Sequence, residues 1–148
     1  MKRGFTLVEL LVVISIIGVL SALIISNLND ARARARDVRR KTNLNQLKTS
    51  LRLYYNDYQS YPNDAFGRYL PYCGAGGNQN CQEGDPFTVA GTTYMSQLPE
   101  YQYDQTGSGE SFILKVILEN GSDPDIAPSQ SRCPGGTYAV TEYALCAD

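Results

Sequence analysis

No proline stands before Pro62, and between Phe5 and Asp57 the sole glycine is Gly18, so the opening stretch of this chain contains almost nothing that would end a helix. The pattern predicts one helix from Phe5 to about Asp57. Its first part, Phe5 to Ile25, is a predominantly apolar run of 21 residues. At about 1.5 Å per residue it reaches about 31 Å, the thickness of a bilayer's hydrocarbon core at about 30 Å. Its second part carries Leu44, Leu47, Leu51, Tyr54 and Tyr58 at the i, i+3, i+4 spacing of a helix that lays one face on a domain. Globular helices usually run about 8 to 20 residues, so an element this long implies a membrane span, a coiled coil or an assembly.

Ahead of the apolar run lies a basic leader, Met1-Lys2-Arg3-Gly4, and within it sits one acid, Glu9. An ionisable side chain costs about 2.5 to 3.5 kcal/mol at mid-bilayer and less near an end, so Glu9 calls for a cation. A secretory signal would have a shorter apolar core of about 7 to 15 residues and a small-residue cleavage site beyond it. Ile24-Ile25-Ser26-Asn27-Leu28 offers no Ala-x-Ala. Ser15, Gly18 and Ala22 lie three and four apart, which puts small side chains on one face where a second helix can approach closely.

With Gly4, Phe5, Thr6-Leu7-Val8-Glu9 and the long apolar continuation, the chain resembles the type IV pilin and pseudopilin family, closely over about residues 1–60. The resemblance implies cleavage after Gly4, N-methylation of Phe5, and assembly through Glu9. It also implies a glycine at Gly18 and, in many members, a proline where Ser26 stands; it further implies local melting of the helix between those two positions in a filament, a step left open here because the proline is missing. Once Gly4 is removed, Phe5 gains an α-amine at the positive end of a helix dipole, where a carboxylate is favoured. At about 4 Å and an effective dielectric near 20, the two charges attract by about 4 kcal/mol. Glu9 donated by one chain and the amine by the next would set the axial register of packed helices.

Charge divides along the chain. Up to Arg52 there are ten basic residues against three acids, a balance of plus seven; the remainder has three against twelve, minus nine, and the two sum to the net of minus two. Such a subunit is dipolar, with a stalk that attracts a neighbour's head. Six of the basic residues, Arg32, Arg34, Arg36, Arg39, Arg40 and Lys41, cluster beyond the apolar run, whereas only Lys2 and Arg3 precede it. The positive-inside rule alone would place that cluster in the cytoplasm. The resemblance implies the opposite orientation, with the N-terminus inside and the stalk outside the cytoplasmic membrane. The cluster suits subunit packing better than DNA, because Arg32, Arg34 and Arg36 alternate around a helix and no aromatic side chains are interleaved for base stacking.

From about Gln59 the composition turns to tyrosine, glycine, asparagine and proline. The chain thus divides into a leader (1–4), an apolar assembly helix (5–25), its amphipathic continuation (26–58) and a head (59–148). Residues 59–99 read as loop, with Gly74 to Asn78 the most flexible part, and residues 100–148 as sheet. Ser111 to Glu119 predicts a strand joined through Gly107-Ser108-Gly109 to Tyr101-Gln102-Tyr103, and Thr137 to Leu145 predicts a third. Three antiparallel strands on the leucine stripe make an α+β fold.

Cys73, Cys81, Cys133 and Cys146 form an even set in a segment placed outside the membrane, where disulfides persist. Pairing Cys73 with Cys81 and Cys133 with Cys146 closes short loops and is favoured among three connectivities, all of which stay open. Neither pair has the two to four intervening residues of a zinc site. The absence of histidine removes the commonest general base, so no enzyme is expected. Gly135-Gly136 matches no phosphate loop. Some pseudopilins bind calcium in a head loop, so by resemblance Asp123, Asp125 and Ser122 are candidate oxygen ligands; otherwise no cofactor is expected.

The implied function is structural: a homo-oligomeric helical filament formed from a membrane-inserted precursor. The implied partners are a prepilin peptidase and methylase, an inner-membrane platform protein, an assembly ATPase and other pilins. The alternatives are a pseudopilin of a type II secretion or DNA-uptake system, and a minor tip subunit acting as adhesin or DNA-binding module. The filament would be extracellular or periplasmic.

Overall fold

The computed structural model describes residues 5–64, 68–71, 73 and 80–147, with the side chains of 23–27 excepted. Helix α1 covers Leu7–Tyr58; then come strands β1 (Phe87–Val89), β2 (Thr92–Met95), β3 (Gln102–Thr106) and β4 (Ser111–Ile117), helix α2 (Ile126–Arg132) and strand β5 (Glu142–Cys146). Two compact units divide the chain, Met1–Ala35 and Arg36–Asp148.

In the first unit the helical backbone runs without a break through Ser26, and every described side chain from Phe5 to Ala22 is exposed. Phe5 is 82% exposed and Val19 65%. Among the described residues no helix is long and apolar enough to cross a membrane. The span expected over 5–25 ends in three residues whose side chains lie outside the described set.

The second unit is an α+β head. Leu44, Leu47, Leu51 and Tyr54 from α1 are buried in one cluster with Phe87, Leu98, Tyr103, Phe112, Leu114 and Val116. Full burial of each leucine is worth about 1.5 to 3 kcal/mol. Tyr58, expected in the same stripe, is 41% exposed and stacks on Tyr54 with ring centroids 4.4 Å apart. It sits in the last turn of the helix.

Strands β3, β4 and β5 form an antiparallel sheet in that order, with Tyr103 opposite Leu114 and Leu114 opposite Leu145. β4 is central and is buried from Phe112 to Val116. The β3–β4 connection turns on Gly107, Ser108 and Gly109, all at positive φ of 63°, 55° and 99°. Two glycines make that left-handed run inexpensive.

Three expectations are corrected. Residues 59–99 are not loop throughout, because β1 and β2 pair as a separate hairpin. Its two-residue connection, Ala90-Gly91, has φ of 48° and 84°, the type I′ geometry usually announced by Asn-Gly. The last strand starts at Glu142 rather than Thr137. Residues 126–132, unassigned from sequence, form α2, whose Pro128 is tolerated in the first turn. The Gly74 to Asn78 segment lies outside the described residues.

Candidate functional site

At the start of α1, Thr6 and Glu9 hold each other. The Thr6 N–H donates to Glu9 Oε2 at 2.9 Å and the Thr6 hydroxyl to the same oxygen at 2.8 Å, while the Glu9 N–H donates to Thr6 Oγ1 at 3.3 Å. This is a reciprocal capping box, which satisfies donors that a helix start otherwise leaves unpaired. The Thr-x-x-Glu spacing that announces it is plain in Thr6-Leu7-Val8-Glu9, so sequence reasoning missed a second role for the acid. Both threonine donors use Oε2. Gly4, the expected cleavage position, lies outside the described residues.

Ser15, Gly18 and Ala22 are exposed. The Ser15 hydroxyl donates to the Leu11 carbonyl at 2.7 Å, which folds its polarity back into the helix. A Cβ added at Gly18 would meet nothing within 4 Å. This face is therefore exposed and built of small side chains.

In the head, the basic cluster is drawn onto the segment after β4. Arg36 pairs with Glu119 at 2.6 Å, and Arg40 bridges Glu119 at 2.9 Å, Asp37 at 3.2 Å and Glu100 at 3.4 Å. Hydrogen bonds from Arg36 and the neighbouring positive charges hold the Glu119 carboxyl below its ordinary pKa. Asp37, 1% exposed, accepts the backbone N–H groups of Glu119 and Asn120 at 2.9 and 2.8 Å. Nothing in the sequence distinguishes Asp37 from a solvated helix residue; only the arrival of the β4 end beside it creates the role. The same holds for Lys115, which is 4% exposed in β4 and pairs with Asp104 at 2.6 Å.

Asp123 and Asp125 are brought together, around an ammonium. Lys41 Nζ lies 2.6 Å from Asp123 and 2.8 Å from Asp125, and 5.4 Å from the centre of the Tyr143 ring. Calcium takes six to eight oxygens at about 2.3 to 2.6 Å, and a lysine can supply none while repelling a divalent ion. The residues present do not fit the calcium site that the resemblance implied. No group of three or more acidic or sulfur ligands suited to a metal occurs among the described residues.

The cysteines stand as Cys73–Cys81 and Cys133–Cys146, with Cα separations of 4.9 and 5.5 Å. The first ties the segment after α1 to the approach to β1, and the second ties the end of α2 to the end of β5.

A capped apolar helix followed in sequence by a small disulfide-stapled α+β head is consistent with a pilin-like fold. The prokaryotic N-terminal methylation motif matches residues 1–25. The chain is 46% identical over 59 residues to the type IV wide pilus major component PilA4 of Thermus thermophilus, covering 40% of this chain and 45% of that protein. It is 40% identical over 60 residues to the type IV major pilin protein PilA of Myxococcus xanthus, covering 40% of this chain and 27% of that protein. It thus spans less than half the length of these two relatives. With the type II secretion system core protein G of Aeromonas hydrophila it is 29% identical over 134 residues, 84% of this chain and 90% of that one. No solved structure matches the chain. The chain is thus similar to type IV pilins and type II secretion pseudopilins.

Proposed function

We propose that the protein is a structural subunit of a pilus-like filament, inserted in the membrane through residues 5–25, trimmed after Gly4, methylated on Phe5 and polymerised through its apolar helix. The observation that carries this reading is the apolar side chains from Phe5 to Ala22, exposed along a capped helix that bears one carboxylate. A surface of that kind requires lipid first and neighbouring helices afterwards. Glu9 Oε2 serves its own helix start, and Oε1 is the oxygen offered to the α-amine of Phe5 on the next subunit. Processing needs a prepilin peptidase and methylase, and polymerisation needs a platform protein, an assembly ATPase and other pilins.

A second reading, a secretion pseudopilin, is supported by one observation: similarity to one type II secretion core protein extends over 134 residues, although four others match over 61 to 66 residues, much as the pilus proteins do over about 60. Long surface fibres containing this chain would support the pilus, and their absence beside a working secretion system would support the pseudopilus.

The test separates charge from cap. Glutamine keeps the capping geometry of Glu9 and removes its charge, whereas alanine removes both. Both variants are expected to insert in the membrane and to lose at least about 10-fold in sheared fibre yield, the equivalent of about 1.4 kcal/mol. The wild-type fibre subunit should show by intact mass the loss of Met1 to Gly4 and the gain of one methyl group. Normal yield from Glu9→Gln with failure of Glu9→Ala would replace the intermolecular pair by the cap as the reason for the acid.

A further inference from the structure

The loop between β4 and α2 gathers negative charge and places its own cation among it. Asp123 accepts the Lys41 ammonium at 2.6 Å and also the Asp125 N–H at 2.9 Å. Asp125 is the residue before the first turn of α2, where aspartate ordinarily caps the helix. Its side chain makes no such bond and instead takes the ammonium at 2.8 Å. The Tyr143 ring on β5 receives the same cation on its face at 5.4 Å. Lys41 therefore joins three elements, α1, the loop and β5, from a position where its side chain is 14% exposed. Burial works against the charged ammonium, but the hydrogen bonds to Asp123 and Asp125 outweigh it and raise the lysine pKa. Burial raises the Asp123 carboxyl, but the same contact with Lys41 together with the Asp125 N–H outweighs it and lowers the carboxyl.

We infer that the Lys41 ammonium is the resident cation of the 120–125 loop, fastening Asp123 and Asp125 to α1 so that the head closes and stays closed without calcium or any other divalent ion. A monovalent group built into the chain cannot be lost to a chelator or to dilution, so the loop's closure does not vary with metal supply. This inference concerns the head alone and stands whether or not the chain forms fibres.

Unfolding of the full chain in detergent tests it. All eleven tyrosines lie at Tyr54 or later and tryptophan is absent, so the near-ultraviolet circular dichroism of tyrosine reports on the head rather than the apolar helix. For the wild type, the thermal midpoint is expected to be the same in excess EDTA and in millimolar calcium chloride. A loss of several degrees in EDTA, or a gain of several degrees with calcium, would overturn the inference. Lys41→Met keeps the aliphatic stem against Tyr143 and removes the charge; its midpoint should fall by about 5 °C or more. A Lys41→Met protein as stable as the wild type would also overturn it. Should the variant fail to fold, the two wild-type measurements decide alone.

Discussion

Asp37 illustrates how one side chain fastens two segments far apart in sequence. Its carboxylate, almost wholly out of water, is matched by two backbone N–H groups and by Arg40. Removing an acceptor from buried donors costs the desolvation of those donors, about 1 to 3 kcal/mol, and more where a charge loses its partner. Asp37→Ala is therefore expected to destabilise the head by about 3 kcal/mol. Asp37→Asn, which retains one acceptor oxygen, should cost less, and denaturant unfolding followed by the tyrosine signal measures both. An alanine variant within about 0.5 kcal/mol of the wild type would show the contact to be incidental. The contrast with Glu9 is instructive. Glu9 announces itself as the one acid in an apolar run, whereas Asp37 sits among charged neighbours in Arg36-Asp37-Val38-Arg39-Arg40 and looks solvated until the chain end of β4 reaches it.

At the scale of elements, the local signals carried the long helix, the β3–β4 hairpin and the presence of a third strand, because each has a strong periodicity or a glycine-rich turn. They did not carry the β1–β2 hairpin, whose turn uses Ala90 at positive φ, or α2, a seven-residue helix containing Pro128. Such short elements are held by their surroundings: the Ser129 hydroxyl on α2 accepts the Ala144 N–H of β5 at 3.1 Å, and the Cys133–Cys146 link closes the same pair. The sequence separations are 8 for Cys73–Cys81 and 13 for Cys133–Cys146. In the chain-entropy picture these loops are worth about 2.5 and about 3 kcal/mol. Replacing both cysteines of a pair by serine should lower stability by those amounts, with the second pair costing more. Non-reducing peptide maps should recover the two links, and free thiols in the native protein would contradict them.

For the whole molecule, the division into a basic stalk and an acidic head has a different consequence from the one suggested by counting charges. Arg36, Arg40 and Lys41 are engaged by Glu119, Glu100, Asp37, Asp123 and Asp125 of the same chain. Half of the six-residue basic cluster thus anchors its own head, and Arg32, Arg34 and Arg39 are exposed. Because folding lowers the carboxyls of Glu119 and Asp123, their contribution is complete above their ordinary range and disappears as pH falls through the folded-state values. Lys41 is raised, so its contribution is complete below its ordinary value and disappears only as pH climbs past the folded one. Head stability should accordingly be flat between about pH 5 and pH 9 and decline below about pH 4. A thermal midpoint that improved on acidification from pH 6 to pH 4 would contradict this arrangement.

The amino-acid order alone determined what depends on neighbours in the chain: an unbroken helix without proline, an apolar run carrying one acid, a leucine stripe, and cysteines spaced for short loops. Tertiary structure decided what depends on groups that meet only after folding. It turned Asp37 into a buried acceptor, brought Asp123 and Asp125 together on Lys41, and stabilised elements too short to persist alone. The physical reason is that a helix or a turn is specified by local geometry, whereas the state of a charge is set by whatever the rest of the chain places within a few ångströms of it.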